Sequence, residues 1–213
     1  MDPVCLLLAI PVAFAVCHYR WGKFPLSASV TLSCAAITFL RADPWITAAY
    51  LVSVVGDWFM NHSGGKDGDR MLLCGIGGFF FAHVCFLLAG IRKIRAEEFG
   101  PLWLIPCALL AAGYTVFLVK KLFPALDGRI MKAAVSAYVG ISLSVITVSL
   151  FSSAAPLPKF LFVAGIAMIL FSDTLIALSR FLKTKKIGRA ICPTYFACHI
   201  LIAASVFAER GFF

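Results

Sequence analysis

The chain has 213 residues, 62% of them hydrophobic and only 14% charged, with a formal net charge of +9. A water-soluble domain of this size lacks the polar side chains to cover so much apolar surface, whereas a bilayer accommodates it, so the composition excludes an ordinary globular fold. The positive charge does not imply nucleic acid as a partner, because the basic residues stand at the ends of apolar runs, where topology signals and lipid headgroups lie.

A span needs roughly 20 mostly apolar residues, which leaves room for about eight helices and short loops. The first is predicted at 3–19. Nothing basic precedes it, while Arg20 and Lys23 follow, the reverse of a secretory leader, so it is expected to remain as a helix. The second, 24–40, ends at Arg41-Ala42-Asp43-Pro44, and the third, 45–62, runs into the clearest loop, His62 to Arg70. A fourth at 70–90 closes on Arg92 to Glu98, and a fifth at 101–122 on Phe123-Pro124. The sixth, 130–152, meets Pro156-Leu157-Pro158, while Lys183 to Arg189 separate the seventh, 157–180, from the eighth, 189–208. These runs are too long and too rich in Leu, Ala and Val for barrel strands. The expectation is an all-α polytopic integral membrane protein, one transmembrane domain over 1–213, with its helices in one bundle. The eight cysteines lie mostly inside the apolar runs without CxxC spacing and read as small buried hydrophobes.

Orientation follows from the loop charges. The loops after helices 1, 3, 5 and 7 carry thirteen Lys and Arg, and the other side carries six. The positive-inside rule then predicts both termini on the non-cytoplasmic face.

Of the ten acidic residues, only Asp57 and Asp173 sit within predicted spans. A carboxylate near mid-membrane costs about 2.5–3.5 kcal/mol even on the lenient insertion scale, so an idle one is rare. The bland alternative is a helix-to-helix hydrogen bond that holds the bundle. His83 and His199 also fall within spans. Counted inward from the loops, Asp57, Asp173, Tyr138 and Tyr195 all lie about 7–11 Å deep on one side, as four side chains of one pocket would. Asn61 continues the face of Asp57 at i+4, and Arg180 stands seven residues beyond Asp173, within reach of a lipid phosphate. Ser27, Thr31, Cys34 and Thr38, like Tyr138, Ser142 and Ser149, form small polar stripes of the kind that usually pack helices together. A faint repeat is also present: Asp57 to His83 and Asp173 to His199 are each 26 residues apart, relating helices 3–4 to helices 7–8.

At these residues the chain resembles the lysoplasmalogenase (YhhN-like) family of eight-span membrane proteins. The matching pieces are Gly56-Asp57-Trp58-Phe59-Met60, Gly77 to His83, Tyr138, Gly165, Leu170 to Ala177 and Tyr195 to His199, and the likeness extends from about residue 23 to 205. Where the family pattern favours Ala-Gln in helix 8, this chain has Cys198-His199. The resemblance implies hydrolysis of the vinyl ether of a lysoplasmalogen, an alkenyl lysophospholipid carrying ethanolamine or choline, to a fatty aldehyde and a glycerophospho-alcohol. Such cleavage protonates the β-carbon to an oxocarbenium ion, adds water, and lets the hemiacetal collapse. It calls for one protonated acid and one carboxylate, which a neighbouring Asp pair sharing a proton can supply. No cofactor or metal is expected. The working assignment is Asp57 and Asp173 as the acid and base, with Tyr138, Tyr195, His83, His199, Asn61 and Arg180 in support. The rival from another class is a proton-coupled transporter of small molecules or lipids that uses the two Asp as a relay. The minimal loops favour a bacterial cytoplasmic membrane.

Overall fold

The computed structural model describes residues 3–65, 67–94, 101–184 and 187–209. Eight α-helices follow one another: α1 (Ala9–Trp21), α2 (Phe24–Leu40), α3 (Pro44–His62), α4 (Gly68–Ile91), α5 (Leu104–Phe117), α6 (Arg129–Leu150), α7 (Pro156–Arg180) and α8 (Gly188–Glu209). Among the described residues there is no strand. Each lies within a few residues of its expected span. Two ends depart from plain α-helix: α1 is led in by a 3-10 segment, Pro3–Leu8, and α5 continues through a π turn, Leu118–Leu122, and a 3-10 turn, Phe123–Ala125.

By length and apolarity, α4, α6, α7, α8 and the stretch Leu104–Ala125 can each cross a membrane, while Leu6–Trp21 and Phe24–Leu40 are shorter apolar helices. At 19 residues α3 is long enough, but Thr47, Ser53, Asp57 and Asn61 lower its apolarity. Large apolar side chains such as Leu109, Phe160 and Phe81 point outward, two-thirds or so exposed, as lipid-facing residues do. The chain is an all-α, multi-pass membrane protein.

Local chemistry sets the helix ends. Gly22 takes a left-handed conformation (φ +63°) and returns its N–H to the His18 carbonyl, which stops α1. Asp43 caps α3 by accepting from the Ile46 N–H at 3.1 Å, with Pro44 in the first turn, where its missing N–H costs nothing.

The most extensive helix contacts are within the two pairs α3–α4 and α7–α8, and small residues make them possible. A Cβ on Gly78 would stand 2.9 Å from the Gly56 Cα, and one on Gly165 would meet Ile202 at 2.5 Å. The pairs are joined by α2 and α6, and by Tyr50 of α3, which is fully buried and donates its hydroxyl to the His199 carbonyl at 2.7 Å. The stripe on α2 (Thr31, Cys34, Thr38) is buried, as are Ser142 and Ser149 on α6. Thr38 meets Thr47 of α3 at 2.9 Å, and Ser142 and Ser149 bond carbonyls of their own helix, so the α2 stripe serves packing, while the α6 stripe also carries Tyr138, whose hydroxyl goes to Asp173 of α7.

Alternate loops meet at the same end of the bundle. Arg180 at the end of α7 donates to the Ser63 carbonyl after α3 at 2.6 Å. At the opposite end Lys93 pairs with Glu209 at 2.6 Å, and the Ser153 N–H reaches the Lys93 carbonyl. Of the residues counted for orientation, Lys66, Arg95, Lys185, Lys186 and Arg210 lie outside the described residues. The seven cysteines whose side chains are described are free thiols.

Candidate active site

The two intramembrane carboxylates converge, each held by a tyrosine from a different helix. Tyr138 of α6 donates its hydroxyl to Asp173 Oδ2 of α7 at 2.5 Å. Tyr195 of α8 donates to Asp57 Oδ2 of α3 at 2.9 Å. Four helices therefore contribute to two Asp–Tyr pairs, and Phe79 of α4 links them, its ring 6.2 Å from that of Tyr195. Hydrogen bonds from a hydroxyl to a carboxylate are short and strong in a low-dielectric setting, so each carboxyl is fixed in orientation.

Both histidines join this cluster. His83 Nε2 lies 4.0 Å from Asp173 Oδ2, and its ring meets the Tyr138 ring edge-on at 5.0 Å. The His199 ring sits 4.3 Å from that of Tyr195 and 5.2 Å from that of Tyr50. The two share one local device: His83 Nδ1 bonds the carbonyl of Phe79, four residues back, at 2.8 Å, and His199 Nδ1 that of Tyr195, four residues back, at 3.0 Å. A carbonyl only accepts, so Nδ1 carries the proton in each, and Nε2 presents its lone pair. For His83 that lone pair faces Asp173, while His199 Nε2 is buried without a hydrogen-bond partner among the described residues. Aromatic residues at i−4 in both α4 and α8 give structural content to the repeat seen in the sequence.

A partly open cavity of about 90 Å³ adjoins the cluster, with Asp173, Tyr138 and Ser142 on its wall and Phe79, Phe117 and Leu170 among its apolar lining. Its volume admits several water molecules. Asp173 lines this cavity, whereas Asp57 is not among its lining residues and accepts from Tyr195. The fourth wall is α5, the least embedded helix, none of whose side chains is fully buried. It is tied across the cavity by Tyr114, whose hydroxyl lies 2.6 Å from Thr174 Oγ1. The sequence assigns Tyr114 no role, its one signal being a hydroxyl inside an apolar run, and Thr174 enters only within the Leu170 to Ala177 motif, with no role of its own. Arg180 lines the mouth of the cavity. Asn61 is exposed at the end of α3 and is not part of the cavity wall. Among the described residues no three His, Cys, Asp or Glu side chains gather closely enough to hold a metal ion.

Comparison with known proteins adds kinship to this geometry. The lysoplasmalogenases of Mycobacterium bovis and Mycobacterium tuberculosis are each 28% identical to the chain over 194 residues, covering 88% of it and 70% of their own length. No solved structure matches. The YhhN family model matches residues 19–206, which include all six members of the Asp–Tyr–His cluster, and the chain belongs to the YhhN family.

Proposed function

We propose that the protein is a membrane-embedded hydrolase that cleaves the vinyl ether of lysoplasmalogens, with Asp173 and Asp57 as its acid and base. One observation carries the reading: Asp173 lines an apolar cavity while bonded to Tyr138, and Phe79 on the same wall meets the ring of Tyr195, which holds the second carboxylate, Asp57. The names of the two mycobacterial relatives support the same substrate. The apolar walls suit an alkenyl chain, and α5 is the wall a lipid passes most easily.

In this mechanism Asp173 delivers its proton to the β-carbon of the vinyl ether, and the oxocarbenium ion that forms is stabilised by the Asp57 carboxylate. Water adds to the cation and passes a proton to Asp57 through a second, bridging water, leaving a hemiacetal. The hemiacetal hydroxyl then returns a proton to Asp173 as the carbon–oxygen bond breaks, and Asp57 protonates the departing glyceryl oxygen through the same bridging water. One water is consumed, an aldehyde and a glycerophospho-alcohol leave, and both carboxyls recover their starting forms. Tyr138 and Tyr195 keep the two carboxyls aimed through these exchanges. The His83 Nε2 lone pair offers Asp173 a second polar neighbour.

The lysophospholipid substrate and the bilayer are the partners of this reading, and one domain over 1–213 in a bacterial cytoplasmic membrane is its setting. The test is aldehyde release by purified protein from lysoplasmenyl-ethanolamine in detergent micelles. Asp173→Asn and Asp57→Asn are each expected to lower kcat at least ~100-fold while the variants elute and melt as wild type does. Wild-type turnover by either folded variant overturns the assignment. Substrate flux into proteoliposomes without aldehyde replaces the hydrolase by a carrier.

A further inference from the structure

The catalytic cavity does not end at Arg180. A second, larger cavity of about 370 Å³ shares Arg180, Leu72 and Phe181 with it and opens at the basic end of the bundle. Its polar rim comes from three separate loops. Asp69 begins α4, Asp127 and Arg129 precede and open α6, and Lys183 follows α7. Among the described residues, none of these five charged side chains forms an ion pair with another. Their arrangement of both signs about one opening suits a ligand that is itself a zwitterion, because an anion alone leaves two carboxylates facing it and a cation alone faces three basic groups.

The spacing fits one molecule reaching through both cavities. Arg180 lies seven residues beyond Asp173, about 10.5 Å along α7, and helical side chains lean toward the N-terminus, which shortens the gap. A lysophospholipid places its phosphate at the far end of a three-carbon glycerol from the ether oxygen. With the vinyl ether at Asp173, the phosphate falls at the shared wall and the amino-alcohol beyond it. Arg180 spends one donor on the Ser63 carbonyl, and its planar fork carries five, so it can stay anchored and still bind a phosphate.

We propose that this second cavity is the headgroup subsite of the substrate, with Arg180, Arg129 and Lys183 receiving the phosphate and Asp69 and Asp127 the ammonium. The proposal rests on the hydrolase reading above and specifies which substrates that site selects. It is tested on wild-type protein with three alkenyl substrates: lysoplasmenyl-ethanolamine, the alkenyl glycerophosphate lacking ethanolamine, and the alkenylglycerol lacking both. The expected kcat/KM falls at least about tenfold at each deletion, the effect of losing a charge-assisted contact. Within one variant, the ratio between substrates is read rather than the absolute rate. Asp127→Asn and Asp69→Asn shrink the advantage of ethanolamine, and Arg129→Gln with Lys183→Gln shrinks that of phosphate. Equal kcat/KM on all three substrates overturns the subsite and leaves the hydrolase standing, whereas no aldehyde from any of them overturns both. A last arm separates a built headgroup site from a general anion site. sn-Glycero-3-phosphoethanolamine is expected to compete with substrate at concentrations where inorganic phosphate does not, and equal inhibition by the two removes the zwitterion assignment.

Discussion

A tyrosine hydroxyl 2.5 Å from a carboxylate oxygen both orients that carboxylate and shapes its proton exchange. Removing it leaves the acid in the cavity, free to turn, and without its strongest partner. Tyr138→Phe is therefore expected to lower kcat about 10–100-fold, the rate equivalent of one hydrogen bond to a charged group, with a smaller change in KM. Tyr195→Phe acts on Asp57 in the same direction. Steady-state kinetics on lysoplasmenyl-ethanolamine measure both, and wild-type kcat in both variants reduces the tyrosines to packing. The site was partly legible from the sequence because a carboxyl in an apolar run is costly, and depth along a helix can be counted. Asp57, Asp173, Tyr138 and Tyr195 were found that way. Which tyrosine serves which aspartate was not legible, since the partners are 35 and 138 residues apart and depend on helix neighbours. Tyr114 was missed for the same reason: a hydroxyl in an apolar run gains meaning only from Thr174, a helix two places further on.

Helix ends were legible to within a few residues because prolines, glycines and charges mark them, as at Gly22, Asp43-Pro44 and Pro156. Helix faces were less so. Apolar side chains surround every helix, whether they face lipid or protein, and the small residues that decide close approach occur at both kinds of position. Gly165 and Gly140 make the contrast. A methyl on Gly165 would meet the Ile202 side chain at 2.5 Å and the Cys198 carbonyl at 3.2 Å, whereas one on Gly140 meets nothing within 4 Å. Gly165→Ala is expected to cost about 1–3 kcal/mol by forcing α7 from α8. Gly140→Ala is expected to be neutral or slightly stabilising, because alanine is the better helix former. Thermal unfolding in one detergent compares them, and equal melting temperatures would show that α7 and α8 do not pack through Gly165. Because Tyr195 and Asp173 ride on α8 and α7, Gly165→Ala should also weaken turnover in the protein that remains folded.

At the scale of the whole molecule, the cavity that Asp173 lines shares its Arg180 wall with the charged loops of one end of the bundle, and the charge distribution marks that end. The loops after α1, α3, α5 and α7 hold most of the basic residues, ten against four when only described residues are counted. The cavity carrying Asp173 opens toward that same end through Arg180, beside the rim of Asp69, Asp127, Arg129 and Lys183. If that end faces the cytoplasm, as the positive-inside rule requires, substrate is drawn from the inner leaflet and the water-soluble glycerophospho-alcohol leaves into the cytoplasm. The termini then lie on the opposite face. A C-terminal alkaline phosphatase fusion in a bacterial inner membrane is expected to be active, and the matching green fluorescent protein fusion dark. The reverse pattern would turn the bundle over, and with it the leaflet from which the cavity is filled, while leaving the Asp–Tyr pairs untouched. A fusion within the loop between α7 and α8 is expected to report the opposite side from the C-terminus. Agreement between the two reporters would mean that α8 does not cross, which its length of 22 residues, its apolar character and its packing along α7 argue against.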